Sequence, residues 1–253
     1  MSPAVELKNI SKWFSKPVYP FPVWRKKKKI QALTQVDLKI APGSIFALVG
    51  PNGSGKTTLL KILAGLFLPD AGEVWIRGQA ALASATGRDF YWRLTVRQNL
   101  EFFAALYDLP PKEIRQNVFQ VAGQLGLGEF LDRPYEQLSS GTRQKLILAR
   151  TLLSRASILL LDEPTRGLDP LAARAFRNLL KEFSRQFKKT LLLTTHNLAE
   201  AEEVADHIGV LHEGRLLKVG TLQEFIGGNG NVGLEDAFES LCRKRKQGSV
   251  VEC

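Results

Sequence analysis

The clearest chemistry lies in eight consecutive residues, Gly50-Pro51-Asn52-Gly53-Ser54-Gly55-Lys56-Thr57. They fit G-x-x-x-x-G-K-[ST] at every fixed position, after an apolar run and before a helical pattern. Glycines let backbone N–H groups turn inward around phosphate oxygens without a Cβ in the way. A helix N-terminus behind the loop adds its partial positive charge. Lys56 is then placed to neutralise β- and γ-phosphate oxygens, and the Thr57 hydroxyl to coordinate Mg²⁺. A glycine-rich turn that binds nothing is the bland alternative, and the flanking strand and helix patterns disfavour it.

A second constellation follows downstream. The apolar run Ile158–Leu161 leads directly into Asp162-Glu163. A buried strand that ends on a carboxylate delivers it to the strand-end crevice of a parallel sheet, beside a phosphate loop. Asp162 would belong to the Mg²⁺ shell. Glu163, one residue on and facing differently, is the candidate general base for an attacking water, since a carboxylate is ionised at neutral pH.

The elements that must position these groups read as alternating strands and helices. Val36, Leu38 and Ile40 alternate with polar residues, and Ile45–Val49 is apolar enough for a buried strand. A helix is expected from Lys56 to Ala64, ended by Gly65, and a strand over Glu73–Ile76. Thr95 and Gln98 have capping-box spacing and open a helix to about Tyr107. Pro110-Pro111 breaks it, and a second helix runs from Lys112 to about Leu125. Helix Gly141–Leu153 and strand Ile158–Asp162 come next. Asp169-Pro170 then opens a long helix to about Phe187. Strand Thr190–Thr195, helix Leu198–Ala205 and strand His207–His212 complete the series. Such alternation implies an α/β fold with a mostly parallel sheet covered on both faces.

Composition narrows the partners. The 253 residues are 44% hydrophobic and 24% charged, which excludes a disordered or low-complexity chain. Thirty-five Lys+Arg against 25 Asp+Glu leave a net charge of +10, favouring polyanions: nucleotides, nucleic acid or an anionic membrane face. The only cysteines are Cys242 and Cys253, so no disulfide framework is expected. The N-terminal residues have no secretory pattern, and no apolar run approaches the ~20 residues that span a bilayer. If the protein works at a membrane, it is expected at the cytoplasmic surface.

Further segments resemble the ATP-binding subunits of ATP-binding cassette (ABC) transporters. Leu138-Ser139-Ser140-Gly141-Thr142 is similar to the family's LSGGQ signature, with serine for its first glycine and threonine for its glutamine. Arg143-Gln144-Lys145-Leu146 and Ala149-Arg150 continue the likeness. Asp162-Glu163-Pro164-Thr165 and Gly167-Leu168-Asp169-Pro170 resemble the Walker B segment and the D-loop. His196 resembles the switch histidine, and Phe14 stands where the family stacks an aromatic ring on adenine. The likeness runs from about Val5 to Gly220.

The resemblance implies a P-loop NTPase: a mostly parallel central sheet, an antiparallel N-terminal β region and a helical insertion subdomain. A single domain is expected over 1–253, with residues 86–155 forming the signature-bearing helical subdomain and 221–253 a short C-terminal helical extension. It implies ATP and Mg²⁺ as ligands and ATP hydrolysis as the activity. Phe14 and the loop Gly50–Thr58, including Thr58, would bind ATP in cis. Ser139, Ser140 and Gly141 would bind the ATP of a second copy facing head to tail, so a homodimer or heterodimer is expected. His196 would contact the γ-phosphate; a strand-end histidine that caps the next helix is the alternative. His207 and His212 are expected to be structural.

One position departs from the pattern. The family carries a glutamine eight residues before Leu94, where this chain has Thr86. A threonine hydroxyl has a shorter reach, so Thr86 is expected to give weakened Mg²⁺ contact. Phe90-Tyr91-Trp92-Arg93-Leu94-Thr95 stands where the family docks its integral membrane permease; for Phe90 a buried aromatic cluster is the alternative. Tyr91–Thr95 and the ending Leu234–Phe238 look most like the drug- and polysaccharide-exporting branch, so export of an unidentified solute from the cytoplasmic face is expected. The run Val18–Trp24 followed by Arg25–Lys29 is either a solvated loop or a contact with anionic lipid, at roughly 1 kcal/mol per basic residue. A soluble ABC ATPase acting on ribosomes or nucleic acid is the runner-up, although no fused second cassette and no aromatic-basic RNA motif is present.

Overall fold

The computed structural model describes residues 2–16, 28–84, 90–227 and 233–248. Thr86, the aromatic run 18–24, residues Arg25–Lys27 and Cys253 lie outside the described residues.

A six-stranded sheet carries the site. Its strands are β3 (Ile45–Val49), β5 (Ala80–Ser84), β6 (Ile158–Asp162), β7 (Thr190–Thr195), β8 (His207–His212) and β9 (Arg215–Gly220), ordered β5-β6-β7-β3-β8-β9. All neighbours are parallel except β8 and β9, which are antiparallel. A second sheet, ordered β2-β1-β4, is antiparallel throughout: β1 (Val5–Lys16), β2 (Lys28–Ile40) and β4 (Ala71–Ile76). The fold is therefore the α/β class expected, with the antiparallel N-terminal region in place.

The two-residue period of a strand decides which layer each side chain joins. Leu159, Leu161, Leu191, Leu193, Ala47 and Val49 face one hydrophobic core, shared with the helical block. Their alternates Ile158, Leu160, Leu192, Phe46 and Leu48 face a second core under the antiparallel sheet and α1 (Lys56–Leu63). Continuous apolar runs are what burial on both faces requires.

The helical block comprises α2 (Val96–Leu106), α3 (Pro111–Gln124) and α4 (Ser140–Leu153). The Thr95–Gln98 capping box forms in both directions, and Pro111 occupies the first turn of α3. Next come α5 (Pro170–Phe187), capped by Asp169 Oδ1 on the Ala172 N–H at 2.9 Å, and α6 (Leu198–Val204). The chain closes with α7 (Leu222–Ile226) and α8 (Leu234–Gly248). Besides β1, which only the family resemblance implied, two strands escape the residue pattern: β5, whose Ala-rich run has little β preference, and edge strand β9, half-buried at Leu216–Lys218.

Candidate active site

The phosphate loop is shaped by glycines at the end of β3. Gly55 has φ 107°, and a Cβ there would meet the Ala32 carbonyl at 2.5 Å. A Cβ on Gly50 would run into the Leu211 carbonyl. No other residue fits either position without moving backbone. The loop then turns into α1, whose N-terminus faces the cavity.

Lys56 is buried and bends back over the loop, its Nζ donating to the Gly50 carbonyl at 2.6 Å and the Pro51 carbonyl at 3.0 Å. Burial pushes its ammonium below the usual lysine range, and the carboxylates of Glu163 and Asp162 act against that shift. Ser54 Oγ is buried among these groups with no hydrogen-bond partner. An orphaned buried hydroxyl beside a lysine and a row of loop N–H groups suits phosphate oxygens.

Opposite the loop, β6 delivers Asp162 as its last residue. The Thr57 hydroxyl lies 3.2 and 3.0 Å from the two Asp162 oxygens, and the Thr194 hydroxyl donates to Oδ1 at 2.8 Å. One carboxylate plus one hydroxyl suits Mg²⁺, which takes its remaining oxygens from phosphate and water. Among the described residues no group of three or more His, Cys, Asp or Glu could hold a metal alone.

Glu163 follows with φ 47°, the left-handed region, so its side chain leaves the strand direction. Its N–H donates to the Thr194 carbonyl and hydroxyl, both at 3.1 Å. Its Oε1 lies 3.2 Å from His196 Nδ1, and its Oε2 lies 3.4 Å from Arg166 Nη1. Such strain persists only where surrounding bonds over-determine it, and it concentrates at functional sites.

One cavity of about 530 Å³ is lined by Asn52, Gly53, Gly55–Thr58, Asp162, Glu163, Arg166 and the β2 residues Ile30–Ala32; His196 is not in that lining and meets it through Glu163. Phe14 is not in that lining; it pairs across the ladder with Ile30, which is, and its ring meets Phe67 edge-on at 5.5 Å. Ser139–Gly141 also stay outside the cavity. Ser139 and Ser140 are exposed at the start of α4, and Ser139 Oγ accepts from the Thr142 N–H at 3.2 Å. His196 does not cap α6; Asn197 does.

Sequence reasoning missed three residues of this neighbourhood. Arg166 faces Glu163, Thr194 binds Asp162, and buried Glu200 accepts from two threonines. Thr194 reads as an ordinary strand former, so only its parallel register with Asp162 could have flagged it. Near the docking segment, Phe90 is buried and stacks on Tyr135 at 5.2 Å, whereas Tyr91 and Trp92 are exposed. The buried-cluster alternative therefore holds for Phe90.

A phosphate loop, a strand-end aspartate and a glutamate beside a histidine, on this sheet order, define a nucleoside triphosphatase of the P-loop class. The chain belongs to the ABC transporter family, whose model matches residues 33–166. The chain is 33% identical over 265 residues to the sulfate/thiosulfate import ATP-binding protein CysA of Thermosynechococcus vestitus, covering 98% of this chain and 75% of that one. It is 32% identical to the ABC transporter ATP-binding protein NatA of Bacillus subtilis, over 78% and 85% of the two chains. Among solved structures, the ATP-binding cassette MJ0796, dimeric and bound to ADP and Pi, superposes with a TM-score of 0.72 at 27% identity. That match covers 86% of this chain and 98% of the other. The protein is an ABC-type ATP hydrolase. Its relatives do not single out the drug- and polysaccharide-exporting branch, since import ATPases stand among them.

Proposed function

We propose that this chain hydrolyses ATP as a head-to-tail dimer and thereby drives a separate integral membrane permease from the cytoplasmic face. The observation that carries the reading is the convergence of the phosphate loop, Asp162 and Glu163 on one cavity, with His196 against the Glu163 carboxylate.

Bound Mg²⁺, held by Thr57 and Asp162, would neutralise phosphate charge and orient the leaving group. Lys56 exchanges the Gly50 and Pro51 carbonyls for phosphate oxygens, and Ser54 gains the acceptor it lacks. Glu163 takes the proton of the attacking water. His196, on the other side of the Glu163 carboxylate, holds it in place and faces the terminal phosphate. Phe14 offers its ring to the base, next to Ile30. The exposed Ser139 and Ser140 and the half-buried Gly141 at the start of α4 supply N–H and hydroxyl groups to the ATP of the second copy. Asp169 sits on the same exposed loop as Arg166.

The permease docks on Tyr91 and Trp92, exposed by 49% and 59%, with the Arg93 guanidinium 4.9 Å from the Trp92 ring centre. Aromatics beside arginine are the anchors protein interfaces favour. The Arg25–Lys29 run adds attraction to anionic lipid. For direction, the Tyr91–Thr95 segment supports export, and the CysA relatives, named for sulfate/thiosulfate import, favour uptake.

Light scattering tests the dimer. The Glu163→Gln protein with ATP and Mg²⁺ should double in mass, and adding Ser139→Phe should keep it monomeric. A monomer in both cases would overturn the head-to-tail reading.

A further inference from the structure

One buried ionisable group takes no part in the chemistry described. Glu200, in the first turn of α6, is only 3% exposed. Its Oε1 accepts from the Thr165 hydroxyl at 2.6 Å and its Oε2 from the Thr195 hydroxyl at 2.6 Å. Its own N–H reaches Asn197 Oδ1 at 3.4 Å. Among the described residues no ion pair reaches it, so its carboxylate is held by two hydroxyls.

Removing a carboxylate from water is costly, and two hydroxyl bonds offset that cost only while both stay made. The two donors are not equivalent parts of one loop. Thr165 lies two residues after Glu163, in the turn closed by the Arg166 N–H on the Glu163 carbonyl at 3.1 Å. Thr195 is the last residue of β7, immediately before His196, and its hydroxyl also accepts from the Asn197 N–H at 3.0 Å. Pairing between β6 and β7 runs as far as Asp162 and Thr194, which are in register, and the Glu163 N–H still reaches Thr194. Besides the Glu163–His196 contact itself, Glu200 joins the two loops beyond that point.

We infer that Glu200 is a positioning residue for the Glu163–His196 pair: its carboxylate clamps the Thr165 turn to the Thr195 strand end and so sets the 3.2 Å contact. The inference rests on the ATPase reading above. It deepens that reading by naming a residue that holds the two loops together from outside the reacting groups. A displaced base loses rate rather than binding, because a misplacement near 1 Å can cost on the order of 100-fold in rate. ATP affinity, set by the phosphate loop, stays.

The test compares three variants by steady-state ATPase kinetics and by binding of ATP to nucleotide-free protein. Glu200→Ala should lower kcat by about 10–100-fold while ATP affinity shifts less than about 3-fold. Glu200→Gln should recover most of the rate, because an amide accepts from one threonine and donates to the other. If Glu200→Ala melts early, Thr165→Val removes one hydroxyl on a half-buried turn and should lower kcat about 5-fold at unchanged affinity. Unchanged kcat in Glu200→Ala or Thr165→Val overturns the proposal, as does a parallel loss of rate and affinity. Absence of turnover in the parent protein would instead strike the ATPase reading itself.

Discussion

The Thr57 hydroxyl and the Asp162 carboxylate, 105 residues apart in sequence, meet at 3.0 Å across the phosphate cavity. One stands at the start of α1 and the other at the end of β6, so the contact depends on the sheet order that sets β6 two strands from β3. It is also where a hard dication bound with the nucleotide would find its protein oxygens. Thr57→Val should therefore raise the Mg²⁺ concentration for half-maximal ATPase activity by about 10-fold while leaving the melting temperature nearly unchanged. A Mg²⁺ titration of the ATPase rate measures this.

Gly55→Ala should destabilise the protein as well as inactivate it. Its φ of 107° and the Ala32 carbonyl at 2.5 Å leave no place for a methyl group. The expected cost is about 1–3 kcal/mol, read from denaturant unfolding in the absence of nucleotide.

Lys56 gives the nucleotide-free protein a pH signature. Burial lowers its pKa below 10.5, so between the lowered value and 10.5 the unfolded chain binds more protons than the folded one. Stability therefore rises with pH through that window, and the penalty is fully present below it. Lys56→Met should remove this component: the difference in unfolding free energy between the two proteins should shrink as pH approaches 10.5.

Trp92→Ala should weaken assembly with the permease by about 2 kcal/mol and leave the ATPase rate of the isolated chain unchanged. The ring is 59% exposed, and its neighbour in contact is Arg93 rather than the core. Co-purification with the permease, alongside ATPase assays of the chain alone, checks both halves.

Much of this was legible in the residues. The phosphate loop, the Ile158–Asp162 strand and the caps at Thr95 and Asp169 follow from local pattern, because each depends on neighbours within a few residues. What stayed hidden depends on pairing across the chain. Thr194 joins Asp162 only through parallel register, and Glu200 joins Thr165 only after α6 folds back over two loops. The left-handed Glu163 was equally invisible, since nothing in "Asp-Glu-Pro" announces a positive φ there. Phe90 and Tyr91 carry similar aromatic character yet part company, one into the core and the other toward solvent.

The central claim is that Glu163, held by His196 at 3.2 Å, is the base for ATP hydrolysis. Single-turnover hydrolysis by Glu163→Gln, measured beside ATP binding, tests it most directly. The account predicts retained ATP binding, a rate lower by at least about 100-fold, and an ATP-bound dimer that persists. Hydrolysis at the parent rate in that variant would contradict it.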